Sequence, residues 1–312
     1  MTRVAALDCG TNSLRLLISD VDDGKLTDVV RDMEIVRLGE GVDETGRFAQ
    51  AALARTFAAL DRYAGEIERH GVERVRMVAT SATRDAANRD EFVAGVRDRL
   101  GVEPDVVSGD EEAALSFAGA TIELRGTGRF AEPYAVCDIG GGSTEFVVGD
   151  DSGVFAARSV DIGCVRMTER HLRDDPPTAD QIDAATVDID AAIALAAETV
   201  PLDKAATLVG LAGSVTTVAA LVLGLPAYDP ERIHHARLSA AEVAETAAAL
   251  LAMPRAERAN LGPMHPGRVD VIGAGALVLD RIMRVGEFGE VVVSEHDILD
   301  GIAYSLLGGA QW

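Results

Sequence analysis

Two short segments combine acids, glycines and hydroxyls at a spacing that suits phosphate chemistry. Asp8-Cys9-Gly10-Thr11-Asn12-Ser13 puts an acid at a strand end and follows it with a tight turn of backbone N–H groups and hydroxyls. Glycine lets such a turn approach a phosphate closely and adopt positive φ, so Gly10, Thr11, Asn12 and Ser13 are phosphate-binding candidates. Asp138-Ile139-Gly140-Gly141-Gly142-Ser143-Thr144-Glu145 repeats the pattern more strongly. Three successive glycines cost conformational entropy, and a purely structural role does not explain Gly140, Gly141 and Gly142 beside Ser143. Asp138 and Glu145 flank this loop, and hard carboxylate oxygens suit Mg²⁺, or Mn²⁺, bridging to phosphate oxygens. Asp8 is the third candidate metal ligand. Arg15 stands where the second segment carries Glu145; it reads equally well as a phosphate ligand or as a strand residue turned elsewhere. No Gly-Lys-Ser/Thr and no Gly-x-Ser-x-Gly occur, which excludes a P-loop and a nucleophile elbow.

The two segments align without gaps: Asp8 meets Asp138, Gly10 meets Gly140 and Ser13 meets Ser143, an offset of 130 residues, and an apolar strand follows each. That offset is domain-sized and indicates an internal duplication. The elements around the first copy read as strands over Arg3–Leu7, Ser13–Val21 and Lys25–Leu38, with a turn at Asp22-Asp23-Gly24. A helix follows over Gln50–Arg69, stopped by Gly71, then a strand over Arg74–Ala79 and a helix over Asp90–Leu100. Val102–Val107 reads as a strand and Asp110–Leu124 as a helix. The pattern breaks at Gly126–Pro133, which predicts domains over 1–130 and 131–296, with a last helix over 297–312 packing back on the first. Two related α/β domains facing each other across a cleft are the expected architecture.

At 312 residues and 48% hydrophobic content the chain can bury two cores, and with 4% aromatics those cores must be aliphatic, which favours α/β layers. Lys and Arg number 29 against 51 Asp and Glu, a net charge of −22. That charge argues against generic binding to nucleic acid polymers or to membrane surfaces. Cys9, Cys137 and Cys164 are an odd set without metal spacing and fit a reduced cytoplasmic protein. Ala205–Tyr228 carries no charge but contains glycines and a proline that read as strand, turn and buried helix rather than a membrane span. Gly273-Ala274-Gly275 lacks the third glycine of a dinucleotide fingerprint, and His234, His235 and His265 have no partners at ligand spacing.

Further motifs make the resemblance specific. Ala79-Thr80-Ser81-Ala82-Thr83-Arg84-Asp85 and Ser108-Gly109-Asp110-Glu111-Glu112-Ala113 lie between the two loops, in the order of the exopolyphosphatase/guanosine pentaphosphate phosphatase (Ppx/GppA) family, which the chain resembles. Gly163-Cys164-Val165-Arg166-Met167-Thr168-Glu169, Ala212-Gly213-Ser214-Val215-Thr216-Thr217 and Asp270-Val271-Ile272-Gly273-Ala274-Gly275-Ala276 extend the match. Ser294-Glu295-His296-Asp297 departs from it, because the family usually has an arginine-containing turn there. The resemblance implies two ribonuclease-H-like domains of the actin-like, sugar-kinase and heat-shock ATPase superfold. It implies that Glu112 is the catalytic base, that Arg84 binds phosphate, and that Gly213 and Ser214 join the phosphate-binding set. By composition alone, Glu112 is one of three acids suiting a helix start, and Arg84 is an ordinary helix-start arginine.

The expected activity is metal-assisted, in-line hydrolysis of terminal phosphate from inorganic polyphosphate. The alternatives are a guanosine pentaphosphate 5′-phosphohydrolase, an ATPase or kinase of the same superfold, and a non-catalytic guanosine tetraphosphate sensor. Longer family members continue into a helical region with a basic path for the polymer. With few basic residues near the site (Arg166, Arg170, His171, Arg173), short chains are the expected substrates, unless a homodimer builds a shared groove.

Overall fold

The structure, a computed structural model, describes residues 2–22, 25–124 and 129–307. Along β1 (Thr2–Cys9), Ala5, Leu7 and Cys9 enter one apolar cluster and Ala6 the opposite one, as the two-residue strand period requires. β2 (Ser13–Asp22) and β3 (Lys25–Ile35) follow as antiparallel neighbours; Asp23 and Gly24 of the expected turn lie outside the described residues. β3 stops at Ile35, short of Leu38, because the N–H groups of Val36 and Arg37 both donate to Asn12 O, at 3.1 and 2.9 Å. After the short α1 (Val42–Thr45), α2 (Gln50–Arg69) buries Leu53, Thr56, Leu60 and Tyr63 at helical spacing. β4 (Arg74–Ala79), α3 (Ser81–Asp85), α4 (Arg89–Leu100), β5 (Asp105–Val106) and α5 (Gly109–Thr121) complete the first half. The strand expected over Val102–Val107 shrinks to the two residues of β5, since Pro104 has no N–H to donate to a ladder.

The second half runs β6 (Tyr134–Ile139), β7 (Thr144–Asp150), β8 (Gly153–Val160), α6 (Cys164–Arg170) and α7 (Ala179–Ala197). It continues with β9 (Thr207–Leu211), α8 (Ala212–Val222), α9 (Pro230–Ile233), β10 (Arg237–Ser239), α10 (Ala240–Ala252), α11 (Arg255–Arg258), α12 (Ile272–Val285) and β11 (Glu290–Val293). The chain then returns in α13 (Ile298–Ser305). The uncharged stretch from Ala205 is β9 and α8, and among the described residues no helix is long and apolar enough to cross a membrane. Gly273–Gly275 lies inside α12, so it is helix and not a nucleotide-binding turn.

The strand orders establish the duplication. The first sheet is ordered β3-β2-β1-β4-β5 and the second β10-β11-β9-β6-β7-β8. Without β10, the second reads β8-β7-β6-β9-β11, strand for strand the order of the first. In each, the first three strands are antiparallel neighbours and the last two add in parallel, the ribonuclease-H-like arrangement. Even the bulge repeats. The ladder shifts register at Ile18/Ser19 and again at Val148/Gly149, and 148 − 18 is the 130-residue offset of the motifs.

The chain divides into two compact units, residues 1–119 with 298–312, and residues 120–297. The first division falls inside α5, ahead of the Gly126–Pro133 break, of which residues 126–128 lie outside the described residues, as do 308–312 of the last helix. In the first unit, Ile298, Leu299, Ile302 and Ala303 of α13 pack with Ala6, Leu17, Val78 and Leu115. In the second, all six residues of β6 are buried, as expected of a central strand covered on both faces.

Candidate active site

Both glycine turns close with the same hydrogen bond. Gly10 N–H donates to Ser13 O at 3.0 Å, and Gly140 N–H donates to Ser143 O at 3.0 Å. In the first unit the turn is braced from behind: Thr11 O accepts from Gly39 N at 2.8 Å, and Thr11 Oγ1 lies 2.9 Å from Ser81 Oγ. That second contact ties the turn to α3, which carries Arg84.

In the second unit the N-terminus of α6 holds the glycine loop. Cys164 N–H donates to Gly140 O at 2.9 Å, Val165 N–H to Gly141 O at 2.8 Å, and Gly163 N–H to Gly142 O at 3.2 Å. Arg166 adds Nε to Gly142 O at 2.7 Å. Each of the three carbonyls therefore faces α6. A trans peptide points its N–H opposite to its C=O, so the N–H groups of Gly141, Gly142 and Ser143 turn away from α6 together. Consecutive N–H groups presented this way form a concavity suited to an anion. The approach depends on Gly163, because a Cβ there would overlap the Gly141 carbonyl and the Gly142 nitrogen.

The duplicated hairpins differ in one pair of side chains. In β1–β2, Asp8 pairs with Arg15 in register, and Arg15 Nε and Nη2 donate to Asp8 Oδ2 at 2.9 and 2.6 Å. In β6–β7 the same register position sets Asp138 opposite Glu145. Residues directly opposite share a sheet face, so two carboxylates face one another there, 7% and 1% exposed. Ser159 Oγ donates to Glu145 Oε1 at 2.7 Å. A buried like-charge pair is unfavourable alone and favourable around a divalent cation, and its all-oxygen chemistry fits Mg²⁺ or Mn²⁺. Asp8 already faces a guanidinium and has less need of a metal; Arg15 correspondingly commits two nitrogens to Asp8.

Glu112 and Arg84 come together across 28 residues of sequence. Glu112 sits in the first turn of α5, its N–H donating to Ser108 O at 2.9 Å. Its carboxylate is buried and accepts from Arg84 Nη1 at 2.6 Å; the same nitrogen donates to Val107 O at 3.0 Å. Among the described residues, Arg84 Nε and Nη2 make no hydrogen bond, which leaves part of the fork for an anion. Burial is the main force raising all three thiols: Cys9 well above its usual range, Cys137 to about 12, and Cys164 above its usual value against a hydrogen bond to Ser214. None is poised as a thiolate nucleophile.

Gly213 and Ser214 open α8 directly after Ala212, which holds φ 66 at the β9–α8 junction. Here the structure adds a residue that sequence reasoning missed. The Arg268 guanidinium lies against Gly213, so close that a Cβ would collide with it, and Nη1 donates to Thr217 Oγ1 at 3.3 Å. The signal available in sequence was the Pro266-Gly267-Arg268 turn ahead of α12. Of the basic residues expected along the rim, Arg170 and His171 both reach the Asp188 carboxylate, at 3.4 and 2.9 Å, and Arg173 donates to Glu169 O at 3.0 Å.

Known proteins agree with these motifs. Residues 17–309 match the Ppx/GppA phosphatase family. The chain is 51% identical over 321 residues to Exopolyphosphatase 2 of Mycobacterium tuberculosis, covering 99% of each. It is 28% identical over 303 residues to the guanosine-5′-triphosphate,3′-diphosphate pyrophosphatase of Vibrio atlanticus, covering 97% of this chain and 59% of that protein. A solved exopolyphosphatase-like protein has a TM-score of 0.94 at 46% identity, covering 98% of this chain and 97% of that one.

Proposed function

The chain belongs to the Ppx/GppA phosphatase family, and from that premise we propose that it is an exopolyphosphatase releasing terminal orthophosphate from inorganic polyphosphate. The observation that carries the reading is the ion pair of buried Glu112 with partly exposed Arg84, a proton acceptor beside an incompletely engaged guanidinium. An arriving phosphoryl group draws Arg84 toward its oxygens through Nε and Nη2 and relieves Glu112 of part of its counter-charge. Glu112 then accepts a proton from water as the water oxygen bonds to the terminal phosphorus in line, and the anhydride P–O bond breaks toward the shortened chain. In the first unit the Gly10–Ser13 turn, and in the second the N–H groups of Gly141, Gly142 and Ser143 with Gly213 and Ser214, are the proposed donors to phosphate oxygens. Asp138 and Glu145 would hold a divalent cation, Mg²⁺ or Mn²⁺, whose chemistry is to neutralise charge on phosphate oxygens. Three buried, unpaired thiols suit a reducing compartment, which supports a cytoplasmic setting.

The test compares phosphate release from short polyphosphate, guanosine pentaphosphate and ATP by the purified chain with Mg²⁺. The reading expects kcat/KM for polyphosphate at least about tenfold above the others, a separation of roughly 1.4 kcal/mol in transition-state binding. Release confined to guanosine pentaphosphate would move the substrate to the alternative within the family. Binding without release would abandon hydrolysis.

A further inference from the structure

Apart from the candidate active site, metal-ligating side chains gather once more among the described residues, in the second unit. Glu123 follows the point where the chain first enters this unit, and His296 precedes the point where it leaves. Glu123 Oε2 accepts from His234 Nε2 at 3.0 Å and lies 3.7 Å from His296 Nδ1. The His234 ring stacks on His235 with centroids 3.7 Å apart, and on His296 at 4.9 Å. Ligand atoms of Glu123, His234 and His235 all lie within 4.8 Å of one another. His235 Nε2 is buried without a hydrogen-bond partner. Its backbone holds φ 61, uncommon outside glycine, fixed by its N–H to Val293 O at 2.7 Å. Phe130 packs on the His235 ring with centroids 5.5 Å apart.

We infer that Glu123, His234 and His235 form a binding site for a transition-metal dication of the zinc class, with His296 as the adjoining fourth ligand. Two or three imidazoles and one carboxylate match Zn²⁺, Co²⁺ or Ni²⁺, whereas Mg²⁺ takes oxygen ligands. The residues come from the turn after α5, the turn between α9 and β10, and the segment after β11, so no local spacing in the sequence reveals them. One hydrogen bond opposes the site. Glu295 N–H donates to His234 Nδ1 at 3.1 Å, which leaves the proton on Nε2. Metal at Nε2 requires the other tautomer, so the Glu295 amide must release Nδ1 on loading.

The test uses the full chain, stripped with a chelator and then held in millimolar Mg²⁺ so that oxygen-ligand sites are filled. Cobalt(II) is added and its visible ligand-field absorption followed, with Zn²⁺ as competitor. One equivalent of Co²⁺ displaced by Zn²⁺ is expected. Glu123→Gln, at an exposed position, should weaken binding at least about tenfold, the lower end of what losing a ligand or its support costs. His235→Asn, which tolerates the left-handed backbone, should do the same, and Asp138→Asn should leave it unchanged. No cobalt band, a band of equal affinity in both cluster variants, or its loss in Asp138→Asn would each overturn the assignment.

Discussion

Glu112 shares the first turn of α5 with Asp110 and Glu111, where the helix dipole favours any acid. Burial separates them. Glu112 is buried against Arg84, while Glu111 is exposed and reaches Arg76 Nη2 at 3.0 Å. Glu112→Gln keeps the shape but removes the proton acceptor, so kcat should fall by roughly two to four decades with KM changed only slightly. Glu111→Gln should retain activity, and steady-state phosphate release from both variants checks the contrast. Near-normal turnover of Glu112→Gln would remove the base from the mechanism. Cys9, Cys137 and Cys164 are buried and unpaired, so a thiol reagent at pH 8 should modify the native protein very slowly and three groups per chain after unfolding in guanidinium. Cys137 titrates near 12 in the native state against 9.0 ordinarily, so above pH 9 the unfolded chain sheds a proton that the native one keeps. Stability therefore declines as pH rises from about 9 toward 12, which thermal unfolding across that range should show.

The β6–β7 hairpin is the element where charge and stability oppose each other. Asp138 and Glu145 face across the ladder with almost no exposure. Removing one charge would relieve like-charge repulsion in the absence of a cation and take away one of the two oxygen ligands proposed for it. Asp138→Asn or Glu145→Gln should therefore raise the melting temperature in chelator while shrinking the rise that Mg²⁺ produces and increasing the Mg²⁺ needed for half-activity. A lower melting temperature in chelator would show that these carboxylates are not in repulsive contact. The loop beside them is held by α6, and that contact predicts the cost of Gly163→Ala. A methyl group there overlaps the Gly141 carbonyl, and overpacking of this kind typically costs about 1–3 kcal/mol. The displaced loop should also lose at least about tenfold in kcat/KM, the equivalent of one disturbed hydrogen-bond set at a site where donors must be placed accurately. Denaturant unfolding and kinetics on the same preparation separate the two effects.

At the scale of the whole molecule, charge decides how a polyanion is met. A net charge of −22 repels a long polymer from most of the surface, and the local cations Arg170, His171 and Arg173 are already engaged by Asp188 or the Glu169 carbonyl. Processive grip requires many phosphate contacts, each a modest and salt-sensitive increment. Release should be distributive and fastest on short chains. Activity on long chains should rise with moderate salt, because screening removes most of the repulsion beyond about 8–10 Å near physiological ionic strength. Gel profiling of chain length over time checks this. Intact long polymer beside fully degraded product, with no intermediates, would show processive action and point to a basic groove shared between two copies of the chain.

Much of this protein was legible along the sequence because the relevant physics is local. Asp8 and Asp138 at strand ends, the glycine turns after them, and the apolar alternation of Ala5, Leu7 and Cys9 need only turn chemistry and a two-residue period to be read. The ungapped offset exposed the duplication that the strand orders and the repeated bulge display. Glu112 and Arg84 could be named only through the family motifs, since acids at helix starts and arginines after strands are common. Their ion pair, Arg268 lying on Gly213, the clamp of α6 on the glycine loop, and the meeting of Glu123 with His234 across 111 residues were decided by tertiary structure. Contacts of that separation leave no periodic trace, because each partner sits in a locally ordinary segment. Only the packing of sheet, helix and returning chain brings the partners within bonding distance.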